Sequence, residues 1–238
     1  MKPKFLNLLS LISILFLAGG CALPSDPVKE NPINKTYQGA INLQNMELPL
    51  PEGEWSVIGC SYAFDQKYIE IVLLNKTNLE LIDIIRNSFE NNSYEYFPSK
   101  YLERDNLHYK EVKNNMGLDQ DGWLINHVRL AHGSDDRPAE KEAYSYLVKN
   151  GYSIPGNHIS IYHRFTGGML HPEKYFSYNY YINPEKDGFA PPEESSWGSS
   201  DWNPGKYNND PAKVEYIEKL KIFGAKQHEN LKLAFKRK

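Results

Sequence analysis

The histidines are the first candidates for a chemical role in this sequence. An imidazole can ligate zinc or act as a general base near neutral pH. His158 and His163 lie five residues apart on a predicted strand, and His127 and His132 repeat that spacing. An odd spacing places two strand side chains on opposite faces of the sheet. Because zinc needs three or four convergent ligands, the sequence predicts no metal site and no cofactor.

The same histidines support one enzymatic hypothesis. A histidine that meets a neighbouring carboxylate would form an acid/base site, and Asp135 and Asp136 are the nearest candidates in the sequence. Such a site would suit an envelope hydrolase that acts on cell-wall or lipid material. The histidines assigned to it are His127, His158 and His163.

Other chemically capable residues have ordinary explanations. Cys60 follows an apolar stretch, where a buried and unreactive thiol is commoner than a nucleophile. The acidic segments 119–122 and 201–205 lack the ligands that complete a calcium loop and are better interpreted as turns. No nucleophile elbow, Ser-x-x-Lys motif or phosphate-binding loop occurs. The sequence therefore assigns no catalytic residue.

An aromatic segment is the strongest local anomaly. Nine aromatic residues fall between positions 175 and 207, in a stretch that turns rich in Pro, Gly, Ser and Asn after residue 182. Two alternatives follow. The loop wraps the domain and buries its aromatic side chains, as long ordered loops tend to do. Otherwise it offers stacking faces to a sugar or a peptide, and the binding residues would be Tyr181, Trp197 and Trp202.

The elements that must position these residues are short strands and a few helices. Strands are predicted where β-branched and aromatic residues alternate; these lie at 55–60, 67–74, 94–97, 106–112, 123–130, 158–165 and 175–182. Helices are predicted where apolar spacing or capping residues fit; these lie at 78–90, 138–150 and from 211 to the C-terminus. Without a regular βαβ rhythm, the pattern indicates an α+β fold. We expect a mainly antiparallel sheet with about three helices packed on it and a long aromatic, Pro-rich loop before the C-terminal helix.

The first residues of the chain predict where it works. Lys2 and Lys4 precede an apolar run from Phe5 to Ala18, which ends in Gly-Gly-Cys21. The run is shorter than the ~20 residues of a bilayer span and has the layout of a secretory signal. The small residues before Cys21 resemble the lipobox of bacterial lipoproteins. That resemblance implies cleavage before Cys21 and lipid on it; an ordinary signal peptide or an uncleaved anchor is the alternative.

Three regions follow from this interpretation. Residues 1–20 form the signal peptide, 21–45 a proline-bearing extended tether, and 46–238 a single domain. Removing Lys2 and Lys4 from 27 basic residues leaves 25 against 30 acidic residues, a net charge of −5. Such a chain lacks the basic footprint of a nucleic-acid-binding protein. With Cys21 lipidated, Cys60 has no partner for an intrachain disulfide.

The mature chain also resembles uncharacterised bacterial envelope proteins. The matching segments are Leu48–Trp55 (LPLPEGEW), Tyr181–Pro191 (YINPEKDGFAP) and Trp197–Trp202 (WGSSDW). The resemblance brings no catalytic residue with it. We therefore expect a membrane-tethered envelope lipoprotein that serves as a binding or assembly module, held by lipid on Cys21. Its partner would be an envelope protein or a glycan, and in a Gram-negative cell it would face the periplasm from the outer membrane.

Overall fold

The computed structural model describes residues 26–44, 46–63, 68–86, 105–113, 120–128, 137–153, 157–167, 171–191 and 200–236, without the side chains of 120 and 171–174. The strands are β1 Thr36–Tyr37, β2 Ala40–Leu43, β3 Met46–Pro49, β4 Trp55–Ala63, β5 Tyr68–Asn75, β6 Glu80–Arg86, β7 Leu107–Lys113, β8 Gln120–Val128, β9 His158–Gly167 and β10 His171–Ile182. Eight of them form a central antiparallel sheet in the order β1-β4-β5-β6-β10-β9-β8-β7, and β2 and β3 form a separate hairpin.

Two long helices accompany the sheet. They are α2 (Pro138–Lys149) and α4 (Pro211–Lys236); α1 (Pro27–Glu30), α3 (Pro204–Tyr207) and a 3-10 helix (Pro184–Asp187) are single turns. Both long helices begin with the predicted proline. Asp210 accepts hydrogen bonds from the first backbone N–H groups of α4, and Gly151 has φ +70° after α2, as a left-handed helix end requires. The predicted α+β fold is confirmed.

The helix predicted over residues 78–90 is wrong. Residues 80–86 form β6, which pairs with β5 on one side and β10 on the other. Asn75 Oδ1 accepts from the backbone N–H groups of Thr77 and Asn78, so this segment is a hairpin turn rather than a helix cap. The Ile- and Leu-rich segment buries both of its faces inside the sheet, and that burial outweighs its helix-like spacing. Residues 87–90 and the strand predicted at 94–97 lie outside the described residues.

Part of the predicted tether is folded. From residue 26 to residue 44 the chain packs on the domain: β1 pairs with β4, and β2 pairs with β3. Ile41 and Leu43 are fully buried in the hydrophobic core. A free tether is therefore the wrong description of these residues, because two alternating apolar side chains suffice to hold a short hairpin on the core.

The two long helices cover opposite faces of the sheet. α4 lies on the more apolar face, where Gly224 allows it to approach Trp123: a Cβ at this glycine would meet the indole at 2.5 Å. α2 lies over β4 on the other face, where a Cβ at Gly59 would come within 2.1 Å of the Ala139 carbonyl oxygen. Contacts this close exclude any larger residue at either glycine without movement of the helix.

Candidate functional site

Polar side chains run across the face of the sheet that α2 partly covers. Directly opposed residues of antiparallel strands point to the same face. Asp83 on β6 opposes Asn179 on β10, and Asn179 opposes Tyr162 on β9. The neighbouring row is Glu70, Ile85, Ser177 and Arg164. An interior sheet face with this many polar groups is unusual and is the natural place to look for a site.

At one end of these rows lies a cluster that we call the acid–arginine cluster: Tyr68, Glu70, Asp83, Arg137 and Glu140. Arg137 Nη2 donates to Glu70 Oε1 at 2.6 Å and also to Asp83 Oδ2. Its Nη1 lies 3.2 Å from Glu140 Oε2. Tyr68 donates its hydroxyl to the second oxygen of Glu70 at 2.7 Å. One guanidinium thus ties β5, β6 and the first turn of α2 together.

The carboxylates of this cluster outnumber its one cation, and this imbalance shifts the pKa values of its members. Burial and the adjacent Asp83 carboxylate raise the pKa of Glu70, and Arg137 only partly opposes them. Burial works to lower the pKa of Arg137, but Asp83 and Glu70 outweigh it and hold that pKa above its ordinary value. Burial and the hydrogen bond to Glu70 raise the pKa of Tyr68. Glu70 and Tyr68 are therefore groups that keep a proton more readily than usual.

Two polar atoms of the cluster make no hydrogen bond. Asp83 Oδ1 and Arg137 Nε are buried and have no hydrogen-bond partner. The cluster nevertheless reaches solvent on one side, because Arg137 and Glu140 keep 30% and 33% of their side chains exposed. Buried polar atoms without partners are rare and commonly mark a place that water or a ligand completes. This arrangement suits a ligand that donates hydrogen bonds, such as a sugar hydroxyl or an amine.

The polar face continues onto β9 and β10. Ser160 donates to Asn179 Oδ1, and the hydroxyls of Tyr162 and Tyr175 lie 3.1 Å apart. The Arg164 guanidinium lies 5.1 Å from the centre of the Tyr175 ring, in cation–π geometry. Aromatic rings with hydroxyl and amide groups beside them are surfaces that can contact both faces and edges of a polar ring.

A second network lies on the opposite face, between the sheet and α4. His163 Nδ1 is 3.3 Å from His228 Nδ1, and His228 Nε2 is 3.1 Å from Asp121 Oδ1. Lys232 Nζ completes the network at 2.6 Å from Asp121 Oδ2, and the Gln227 side-chain amide lies 3.0 Å from His163 Nε2. The network is packed against aromatic rings, so it ties α4 to the sheet rather than facing solvent.

Electrostatics keep the histidines of this network neutral. Burial and the neighbouring His228 lower the pKa of His163 to about 3. Burial also lowers the pKa of His228 below its ordinary value, although Asp121 opposes it. Burial acts to raise the pKa of Asp121, but hydrogen bonds from Lys232 and His228 hold it below its ordinary value. Both imidazoles therefore resist protonation, whereas the Asp121 carboxylate stays ionised.

His127 and His158 have hydrogen-bond partners outside this network. His127 Nε2 lies 2.7 Å from Asn157 Oδ1 and 3.2 Å from Ser200 Oγ, and His158 Nε2 lies 3.3 Å from the Leu79 carbonyl oxygen. His132, Asp135 and Asp136 fall outside the described residues. Within the described ranges, no three His, Cys, Asp or Glu residues come together as a metal-binding group.

The predicted aromatic binding residues do not form one exposed surface. Trp202 is only 3% exposed and packs edge-on against Phe189, with Tyr216 beside it. The prediction that Trp202 contacts a ligand is therefore wrong. Trp202 is a core residue, and its ring fills the space between the loop and α4. Tyr181 is half-buried against the core under α2, and Trp197 lies outside the described residues.

The remaining sequence candidates have structural roles. Burial raises the pKa of the Cys60 thiol to about 12, helped by Glu142, so the thiolate needed for nucleophilic attack is scarce at neutral pH. Of the two acidic turns, Asp121 belongs to β8 and the histidine network, and Asp201 lies 3.6 Å from Lys213 Nζ. Asp119 is outside the described part of the chain, as is Cys21.

Sequence reasoning missed the acid–arginine cluster, although a signal for it existed. Glu70 and Asp83 each interrupt an apolar strand segment, and a buried strand carries a charge only where a partner neutralises it. Nothing in the spacing of the chain connects them to Arg137, which is 67 residues away from Glu70 in sequence. The misassigned helix at 78–90 also hid the fact that Asp83 and Glu70 share a face.

Comparison of the chain with protein-family models, curated proteins and solved structures returns no match. None of the described helices is long and apolar enough to cross a membrane.

Replacing Arg137 tests how strongly the cluster depends on one cation. In an Arg137→Met variant, Glu70 and Asp83 remain buried without a counter-charge, and we expect the free energy of unfolding at pH 7 to fall by about 3 kcal/mol. Both carboxyl groups then gain from protonation, so the deficit relative to wild type should shrink as the pH is lowered to 5. Urea unfolding at both pH values measures this.

The matched control is Lys219→Met, which removes a lysine from an exposed ion pair with Glu215 on α4. We expect no measurable change from it, because exposed pairs contribute little. A deficit in Arg137→Met that is the same at pH 7 and pH 5 would contradict the electrostatic account and indicate lost packing instead.

The buried histidines predict acid sensitivity. An unfolded histidine has a pKa near 6.5, whereas burial lowers the pKa of His163 to about 3 and that of His127 to about 4. Between these values the unfolded chain binds more protons, so stability is lost as the pH falls below 6.5. We expect a loss of roughly 1.5 kcal/mol per histidine between pH 6.5 and pH 5, measured by urea unfolding across that range.

The variant His163→Gln separates this effect from that of the other titrating groups. Its stability should depend less steeply on pH between 6.5 and 5, even where its absolute stability is lower. A wild-type stability that stays constant or rises over this interval would refute the prediction.

Proposed function

We propose that this chain is a lipid-anchored binding module of the bacterial cell envelope. The anchor is lipid on Cys21, supported by the basic, apolar and small-residue order of positions 2–21. The described domain begins at Asp26, five residues after the proposed attachment point. In a Gram-negative cell the module faces the periplasm from the outer membrane.

One observation supports a binding role at a particular place: the acid–arginine cluster, which combines a half-exposed rim with an unpartnered buried oxygen on Asp83. We therefore propose this cluster and the adjoining polar face as the contact surface, in place of the aromatic loop. Trp202 is buried, so the loop no longer offers the pair of stacking rings that first suggested it.

The ligand class that fits this surface is a hydroxyl-rich glycan. Carboxylates accept hydrogen bonds from sugar hydroxyls, and the Arg137 side chain, which is 30% exposed, can donate to ring and acyl oxygens. Tyr162 and Tyr175 lie on the same face of the sheet and present aromatic edges. A cell-wall glycan is the polymer of this chemistry that a periplasm-facing lipoprotein meets.

An envelope hydrolase is the second candidate, and the observation in its favour is the carboxyl pair Glu70 and Asp83. Both carboxylates contact the same Arg137 nitrogen, and two neighbouring carboxyl groups are a common acid/base arrangement. Binding is the better-supported role, because the Arg137 guanidinium occupies the space between the two groups. A substrate atom could reach both carboxyl groups only if the arginine moved.

The lipid anchor predicts the behaviour of a Cys21→Ser variant. Without the thiol no lipid can be attached, so the variant should move from the membrane fraction to the soluble periplasmic fraction. The measurement is fractionation together with the mass of the N-terminal peptide, which should carry acyl chains only in wild type. Recovery of unmodified Cys21 in membrane-bound wild-type protein would contradict the anchor.

Glycan binding predicts a selective effect of Asp83→Asn. This variant keeps the shape of the side chain but removes the charge, and we expect it to bind soluble cell-wall oligosaccharides at least tenfold more weakly by calorimetry. Asp201→Asn, an exposed substitution away from the cluster, is the control and should bind as wild type does.

The same experiment distinguishes the two candidate functions. Binding without release of reducing ends supports the module, whereas release that is lost in both Glu70→Gln and Asp83→Asn supports the hydrolase. Equal binding by wild type and Asp83→Asn, with both folded by circular dichroism, would remove the cluster from the glycan site.

A further inference from the structure

The distance between the proposed lipid and the domain is short. From Cys21 to Asp26 the chain spans five residues, including Pro24, and a fully extended chain of that length reaches at most about 18 Å. Asp26 itself is held in place as the cap of α1, where its side chain accepts from the Val28 backbone N–H. If Cys21 carries lipid, α1 lies close to the bilayer surface.

The segment that follows Asp26 lies beside α2. Asn34 donates its backbone N–H to the Val57 carbonyl oxygen at 2.8 Å, so this segment runs along the edge of β4. Tyr146 of α2 donates its hydroxyl to Asn34 Oδ1 at 2.6 Å. On the same edge, Glu142 of α2 accepts the Cys60 backbone N–H at 3.0 Å. The anchor thus emerges next to α2, on the side of the domain that this helix covers.

The outward face of α2 has the composition of an interfacial helix. Ala139, Ala143 and Leu147 are buried toward the sheet. The exposed residues on the other side of the helix include Val148, which is 62% exposed, and Tyr144 one turn before it. An apolar pair at this spacing on an outward face can insert among lipid headgroups.

The charges of α2 favour an anionic surface. Its two acidic side chains are engaged on the flanks of the helix, Glu140 with Arg137 and Glu142 with the Cys60 backbone. Lys141 and Lys149 are exposed on the outward side. Lysines near an anionic bilayer are attracted to its surface.

We propose that the outward face of α2, together with α1, lies against the anionic headgroups of the bilayer that holds the lipid. This proposal rests on the lipid anchor of the proposed function. Exposed apolar residues also occur on α4, where Ile222 is 74% exposed, but α4 lies on the opposite face of the sheet. The short reach from Cys21 selects α2, which is the helix next to the anchor.

The test uses the full-length lipidated protein in vesicles that contain phosphatidylglycerol and spin-labelled lipid. Cys60 is replaced by Ala, and a fluorophore is attached to a cysteine introduced at Val148, Val28 or Ile222. We expect quenching at positions 148 and 28 to exceed that at 222 at least threefold. Equal quenching at 148 and 222, or stronger quenching at 222, would overturn the orientation.

Charge reversal gives a second readout on surface residues that leave the fold intact. The double variant Lys141→Glu and Lys149→Glu should at least halve the difference in quenching between 148 and 222, whereas Lys219→Glu on α4 should leave it unchanged. An unchanged difference in the double variant overturns the proposed headgroup contact. The mass of the N-terminal peptide separates the two proposals: absent lipid defeats both, and lipid without an orientation defeats only this one.

Discussion

The contact on which the rest of the structure depends is the one that Arg137 makes with Glu70 and Asp83. These carboxylates lie on adjacent central strands, one of them fully buried, and burial of such charges without a cation would be strongly unfavourable. Arg137 stands immediately before Pro138, so the same guanidinium fixes where α2 begins. The Arg137 side chain therefore sets the position of α2 and neutralises the buried carboxylates of the two strands. It also forms part of the partly exposed rim of the candidate site.

The two faces of the sheet differ in composition and in the role we assign to them. Under α4, apolar residues and a neutral histidine chain form a closed interior, in which Gly224 brings the helix onto Trp123. Under α2, polar residues from four strands face one another and leave hydrogen-bonding atoms without partners. The closed face supplies stability, and the open-edged polar face is where we propose recognition. The candidate site and the proposed bilayer contact both belong to the α2 side, so the proposed glycan would lie near the membrane surface.

Local sequence patterns correctly predicted the elements whose tertiary contacts favour the same secondary structure. Strands β4, β5, β9 and β10 and helices α2 and α4 follow from alternation, prolines and caps close in sequence. The helix predicted at 78–90 failed because Ile82, Ile84 and their neighbours fit either period, and pairing with both β5 and β10 decided between them. The tether prediction failed at Ile41 and Leu43, whose burial depends on a core formed by residues far along the chain.

For the candidate site, too, the sequence determined some features and the tertiary structure determined the others. The sequence by itself determined that a charged residue interrupts each of two apolar segments, at Glu70 and Asp83, and it placed a cysteine at position 21 where a lipid signal would put one. Only the tertiary structure decided that Glu70 and Asp83 meet Arg137, and that His228 is a partner of His163. The reason is physical: these contacts join residues tens of positions apart, and strand register and helix packing, which no local pattern encodes, set the distances between them.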